Sequence, residues 1–186
     1  MNDKYELIAE DFVEVLGRRL FRIRSKKTFS RVAIGDKGGF VESERNLSPY
    51  GNAWVSGNAS VFGNARVFGN ARVSGDASVS GDAWVSGDAK VSGNASVFEN
   101  AWVSGNARVS GDASVSKPTD ILVIGPVGSR SAYFTVIVPS GKVKVGCFEG
   151  SLDDLEKAAK ERDRQDYLDL LPGIRAIVSR RQVAKE

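Results

Sequence analysis

The sequence predicts a mainly β protein centred on a solenoid of short stacked strands, a triangular prism with 18 residues per coil. That expectation rests on a repeat, on its internal alternation and on how its variable positions sort. From Gly51 to Ser116 the chain is eleven consecutive hexads of the form Gly-[Asn/Asp]-Ala-x-Val-[Ser/Phe], and Glu99 is the only break in the Gly column. Within each hexad, Ala and Val stand two residues apart with variable residues between and after them, which is the period-2 alternation of a short strand with a narrow apolar side. Each Gly-Asn or Gly-Asp step is a corner, because these residues tolerate a positive φ. A strand this short buries nothing alone, so the hexads must wind into coils whose Val and Ala stack on one another.

The variable positions set the coil length. Taking every third hexad, the residue after Ala reads Trp54, Arg72, Lys90, Arg108 in one column, Ser60, Ser78, Ser96, Ser114 in the next, and Arg66, Trp84, Trp102 in the last. A wholly Ser column argues for three hexads per coil and three flat faces, with successive strands about 4.8 Å apart. The second outward position sorts less cleanly: Phe62, Ser80, Phe98 and Ser116 share the Ser face, Phe68, Ser86 and Ser104 the aromatic one.

The flanks divide the chain into residues 1–50, 51–116 and 117–186. Residues 1–50 read as hairpin strands, Val13 to Leu16 and Leu20 to Arg24 about a Gly17 turn, leading into a degenerate first coil. Such a piece is the cap that a solenoid end requires. After Lys117-Pro118, Ile121 to Ile124, Tyr133 to Val138 and Lys142 to Val145 read as three strands. Ser151 is an N-cap for a helix to about Lys160. A second helical stretch, Tyr167 to Leu171, ends at Pro172-Gly173, and Ile174 to Val183 suits a third.

Composition excludes much chemistry. Among 186 residues there is no His and one Cys, Cys147. That removes His-based acid–base catalysis, Ser-His and Cys-His nucleophiles, and Cys/His zinc sites. A net charge of +3 is too mild to call for nucleic acid or an acidic membrane as partner. No stretch approaches a transmembrane span, and the charged start does not resemble a secretory signal, so a cytoplasmic protein is expected. Asp76, Asp82 and Asp88 fall on three different corners at 18 residues per coil, so no metal is assigned to them. Cys147 reads as a small buried hydrophobe.

The hexad resembles that of the left-handed parallel β-helix. With Gly38-Gly39-Phe40-Val41-Glu42-Ser43-Glu44, Gly125-Pro126-Val127-Gly128-Ser129-Arg130 and Gly146-Cys147-Phe148-Glu149-Gly150, the chain is similar to a hexapeptide-repeat family common in phage and prophage genomes. Its members carry the labels hexapeptide transferase and polymer-forming protein. The resemblance implies left-handed coils and a trimer; the transferase label is fold analogy and does not establish chemistry.

Two surfaces invite function. Trp54, Phe62, Phe68, Trp84, Phe98 and Trp102 all point outward and form the expected homo-oligomer interface; the competing reading is that the C-terminal helix, or stacking on Arg66 and Arg72 by cation–π contact, accounts for them. Gly125, Gly128, Ser129 and Arg130, joined by Ser151 at a helix N-terminus, could share an anion; the competing reading is two turns whose glycines serve geometry. The column Arg72, Lys90, Arg108 stacks like charges, which an anionic ligand or acidic partner would relieve, unless the side chains are splayed and solvated. The basic run from Arg18 to Arg31 reads as a strand face paired with the acids before it, against an anion patch.

The expected function is therefore a noncatalytic oligomeric binding protein with no cofactor. Its partners would be an anionic, nucleotide-like molecule or a host protein, and the resemblance to phage proteins adds an action against host defence. The alternatives are a His-independent acyltransferase using acyl-CoA and a self-assembling structural protein. No catalytic residue is assigned.

Overall fold

The computed structural model describes residues 2–128 and 130–183. The chain divides into two compact units, Met1–Lys117 and Pro118–Glu186.

In the first unit every hexad yields one two-residue strand: β4 (Trp54–Val55), β5 (Ser60–Val61), β6 (Arg66–Val67), β7 (Arg72–Val73), β8 (Ser78–Val79), β9 (Trp84–Val85), β10 (Lys90–Val91), β11 (Ser96–Val97), β12 (Trp102–Val103), β13 (Arg108–Val109) and β14 (Ser114–Val115). They stack in parallel as three columns, β4-β7-β10-β13, β5-β8-β11-β14 and β6-β9-β12. Arg72 lies beside Lys90 and Lys90 beside Arg108, while Trp84 lies beside Arg66 and Trp102. The ladder runs in one direction: the Trp54 and Ser56 amides donate to the Ala71 and Val73 carbonyls at 3.0 and 2.9 Å. All eleven Ala and all eleven Val of the hexads are buried. At the corners glycine is favoured, because φ there is +63° to +72° and a side chain at Gly69 would press on the backbone of Gly87. Glu99 holds the same conformation at φ +53°.

The ladder leaves the carbonyls of the first coil without donors from a preceding coil, and the N-terminal segment supplies them. Strands β1 (Tyr5–Val15) and β2 (Arg18–Ser25) form an antiparallel hairpin, and β2 pairs with β3 (Lys37–Val41). Strand β3 enters the parallel stack, Phe40 beside Ser60 and Val41 beside Val61, and Leu47 bridges Val67. The Lys4 ammonium, completely buried, donates to the Ala53 and Ser48 carbonyls at 2.7 and 3.0 Å. The Tyr5 hydroxyl donates to the Leu47 carbonyl at 2.6 Å. These are the carbonyls that no preceding coil reaches, so the segment closes the open end of the stack.

The second unit is an antiparallel meander of β15 (Ile121–Val127), β16 (Ala132–Ile137), β17 (Lys142–Val145) and β18 (Phe148–Ser151), with helices α1 (Leu152–Glu161), α2 (Gln165–Leu168) and α3 (Leu171–Val183). Phe134, Val136 and Val143 share one core with Leu155, Tyr167 and Ile174. Two expectations are corrected here. Phe148–Ser151 is a fourth strand beyond the three expected, since Gly146-Cys147 makes a two-residue hairpin turn with φ +59° at Gly146. Pro172-Gly173 lies inside α3 rather than ending a helix, because a proline in the first turn has no hydrogen bond to lose.

Candidate functional site

The third column carries the most distinctive surface. Following the inward Ala in each hexad, Arg66, Trp84 and Trp102 project outward on adjacent rungs. The rings of Phe68 and Trp84 meet edge to face at 5.9 Å and 81°, and those of Trp84 and Trp102 at 5.9 Å and 78°. Each such pair contributes about 0.5 to 1.5 kcal/mol beyond its buried area, so the ladder is a rigid strip. Yet Trp84 remains 42% exposed and Trp102 52%.

Beside the strip lies an open groove of about 450 Å³ lined by Arg45, Gly63, Asn64, Arg66, Asp82 and Trp84. Its upper wall is a 3-10 turn, Glu44–Asn46, stitched to the solenoid by a buried side chain: the Asn46 amide donates to the Ala65 and Gly63 carbonyls at 2.9 and 3.0 Å. Asn46 occupies the rung above Arg66, since Leu47 bridges Val67, but turns inward. The groove lies at this corner, with Arg45 of the turn and Arg66 both in its lining. Glu42 pins the same corner, accepting from the Gly63 amide at 2.6 Å and from Arg18 at 2.8 Å. Partial burial pushes the Glu42 carboxyl up, and those two donors outweigh it, leaving the group below the ordinary glutamate range. Sequence reasoning missed Arg45 and Arg66; the signal available was Arg66 heading the aromatic column.

Two of the six residues of the expected oligomer interface are not a free surface, and it is the N-terminal segment that covers them. Trp54 and Phe62 are each only 7% exposed. Phe29 stands edge-on to Trp54 at 5.5 Å, and Leu20 and Phe40 pack on Phe62. The N-terminal segment uses these aromatics as its own docking ridge, because large apolar faces bury against the nearest covalently tethered partner first. Phe68 and Phe98 are half-buried, leaving Trp84 and Trp102 as the exposed members.

The column Arg72, Lys90, Arg108 is stacked in register. Arg72 is half-buried and donates to the Ser30 hydroxyl at 2.9 Å, while Lys90 and Arg108 are exposed. The basic run is paired along the hairpin: Arg24 with Glu6, Arg22 with Asp11, Arg19 with Glu14, and Lys27 with Asp3.

The shared anion site does not assemble. Ser129 lies outside the described residues, but Gly128 and Arg130 belong to the turn before Ala132, whereas Ser151 pairs with Lys142, which pairs with Ile137. Five rows of strand separate them, roughly 16 Å at about 3.3 Å per residue. Ser151 is also committed: its hydroxyl accepts from the Asp154 amide at 3.1 Å and donates to the Asp154 carboxylate at 2.6 Å. With Asp153 and Asp154 in the first turn, the helix end already holds its anion. Gly125 and Gly128 serve packing. A side chain at Gly125 would strike the Ala132 carbonyl and Tyr133, and one at Gly128 would overlap Asp166, which Arg164 grips at 2.8 and 3.0 Å. Cys147 is exposed rather than buried, since it sits in the β17–β18 turn.

Among the described residues no three potential metal-ligating side chains cluster, and no helix is long and apolar enough to cross a membrane. The family model described as the YdcK beta solenoid repeat matches residues 59–75, 71–87 and 101–117. The stacked parallel strands and this match together identify the hexads as a β-solenoid repeat. No curated protein matches the chain.

Proposed function

We propose that this β-solenoid protein is a noncatalytic binding protein that acts as a homo-oligomer, most simply a trimer of left-handed, 18-residue coils. The observation that carries the reading is the half-exposed Trp84–Trp102 ladder. Two adjacent indoles partly exposed on one face of the solenoid are a contact surface, and aromatic residues of this kind anchor protein interfaces. A rigid anchor loses little conformational entropy when a partner covers it. A catalytic role has less support: the chain has no His, and the buried side chains are committed to structural contacts such as those of Lys4 and Asn46. Phage origin and a host-defence target rest on the family resemblance described above.

A native mass spectrum of the full chain tests the reading. The expected species is three times the 20.0 kDa chain mass, and Trp102→Glu shifts it to the monomer by placing a charge at the contact. A monomer for the parent protein at micromolar concentration overturns the association.

A further inference from the structure

The groove next to the indole ladder is lined by residues of one chain and shares Trp84 with the proposed contact surface. Arg45 and Arg66 are both exposed. Among the described residues neither is in an ion pair, whereas Arg18, Arg19, Arg22 and Arg24 of the same unit all are. Glu42, the carboxylate on which Arg45 acts electrostatically, is already held by the Gly63 amide and Arg18. The groove lining therefore holds two arginines and one carboxylate, Asp82, and that carboxylate already accepts from the Asn64 amide at 3.0 Å.

We propose that the groove lined by Arg45, Arg66, Trp84 and Asp82 binds a phosphomonoester carried on a planar ring, the chemistry of a nucleoside monophosphate. Each feature selects one part of that ligand. A dianionic phosphate satisfies two guanidinium forks, where a carboxylate saturates with one. The half-exposed Trp84 indole, held by Phe68 and Trp102, is a preformed wall for a flat ring, since base–aromatic stacking asks only for a π face. The remaining lone pairs of Asp82 accept from a ring amino or hydroxyl group and reject a second anion, which fixes the phosphate at the arginine end. The volume of about 450 Å³ falls within the range of roughly 300 to 1,000 Å³ typical of small-molecule sites. The walls are rigid: Arg66 and Trp84 stand on adjacent rungs, and the Asn46 amide ties the turn bearing Arg45 to the same corner.

Titration calorimetry of the full chain with adenosine monophosphate, adenosine, phenyl phosphate and inorganic phosphate tests the assignment. The open groove predicts a Kd for adenosine monophosphate below about 1 mM, with adenosine and inorganic phosphate each at least tenfold weaker and phenyl phosphate between. The Arg45→Ala/Arg66→Ala double variant and Trp84→Ala each weaken adenosine monophosphate at least tenfold, while Arg72→Ala, in another column, leaves it unchanged. All four positions are at least partly solvent-facing, and circular dichroism checks that the variants fold. No heat with adenosine monophosphate at 10 mM, or equal affinity in the double variant, overturns the proposal. Inorganic phosphate binding as tightly as adenosine monophosphate overturns the ring-stacking part. Native mass spectra of the same samples separate the two readings: adenosine monophosphate bound to the monomer species supports the groove whatever the fate of association.

Discussion

The side-chain amide of Asn94 donates to the carboxylate of Asp112 on the next rung at 3.0 Å. The same step recurs from Asn52 to Asn70, Asn58 to Asp76, Asn64 to Asp82 and Asn70 to Asp88 at 3.0 to 3.1 Å. Along every corner column each Asp has only Asn on the rungs beside it. The mixture of Asn and Asp in the hexads is therefore ordered: the amide both donates to and separates the charges. Asn94→Asp would set a third carboxylate between those of Asp76 and Asp112 and lose the amide donor. The expected cost is about 1 kcal/mol at pH 7, since these corners are solvent-facing. Urea denaturation at pH 7 checks it.

Glu99 takes the left-handed corner conformation that the other ten hexads give to glycine. A residue with a Cβ pays roughly 1 to 2 kcal/mol there, of which glycine's greater unfolded-state freedom returns about half. Glu99→Gly is expected to stabilise the fold by roughly 0.5 to 1 kcal/mol. An unchanged or lower melting temperature would mean that the Glu99 side chain makes a compensating contact.

Lys4 and Tyr5 give the fold an alkaline stability profile with a maximum. Burial, and then the neighbouring charge of Lys27, lowers the Lys4 ammonium to about 8. Its unfolded value is 10.5, so between about pH 8 and pH 10.5 the unfolded chain holds a proton that the folded one has released. Stability from this group therefore rises with pH across that window and is flat below it. Burial of Tyr5, with the charge of Glu44 beside it, raises its phenol above the ordinary 10.0. Above about pH 10 the unfolded chain ionises first, and stability falls. Urea midpoints measured from pH 7.5 to 11 should climb and then drop. Lys4→Met should remove the climb and Tyr5→Phe the drop, each measured as the difference from the parent protein.

Phe29 covers Trp54 and also lies 5.0 Å beneath the Lys4 ammonium. Phe29→Ala should cost about 2 kcal/mol, less than a fully buried Phe because Phe29 itself is half-buried. It should also shift the tryptophan emission to the red as Trp54 meets water. A stability loss without the spectral shift would argue that the ridge is covered by something other than Phe29.

The repeat was legible because its code is local. Glycine at the corners, Ala and Val inside, and one variable outward residue are each dictated within six positions, and stacking identical units leaves only their offset to be found. The sorting of Ser60, Ser78, Ser96 and Ser114 into one file revealed which residues lie side by side, because an outward residue feels chiefly its neighbours on adjacent rungs. Pairing within the basic hairpin was legible for a similar reason, since Glu6 and Arg24 face each other across one turn.

The site was less legible because it depends on contacts distant in sequence. Outward Trp54 and outward Trp84 look alike in the hexad pattern, and only the path of residues 20–40 covers one and leaves the other in water. Arg45 joins Arg66 only because Asn46 turns inward to reach Ala65. Ser151 and Arg130 looked convergent along the chain, yet the strand register sets them at opposite ends of one sheet. The order of residues was enough to dictate the solenoid, its buried Ala and Val and its glycine corners, since those follow from backbone conformation and burial within each repeat. Which aromatics remain exposed and which arginines share a groove was decided by the folded chain, because exposure is a property of what folds over a residue, and nothing local records it.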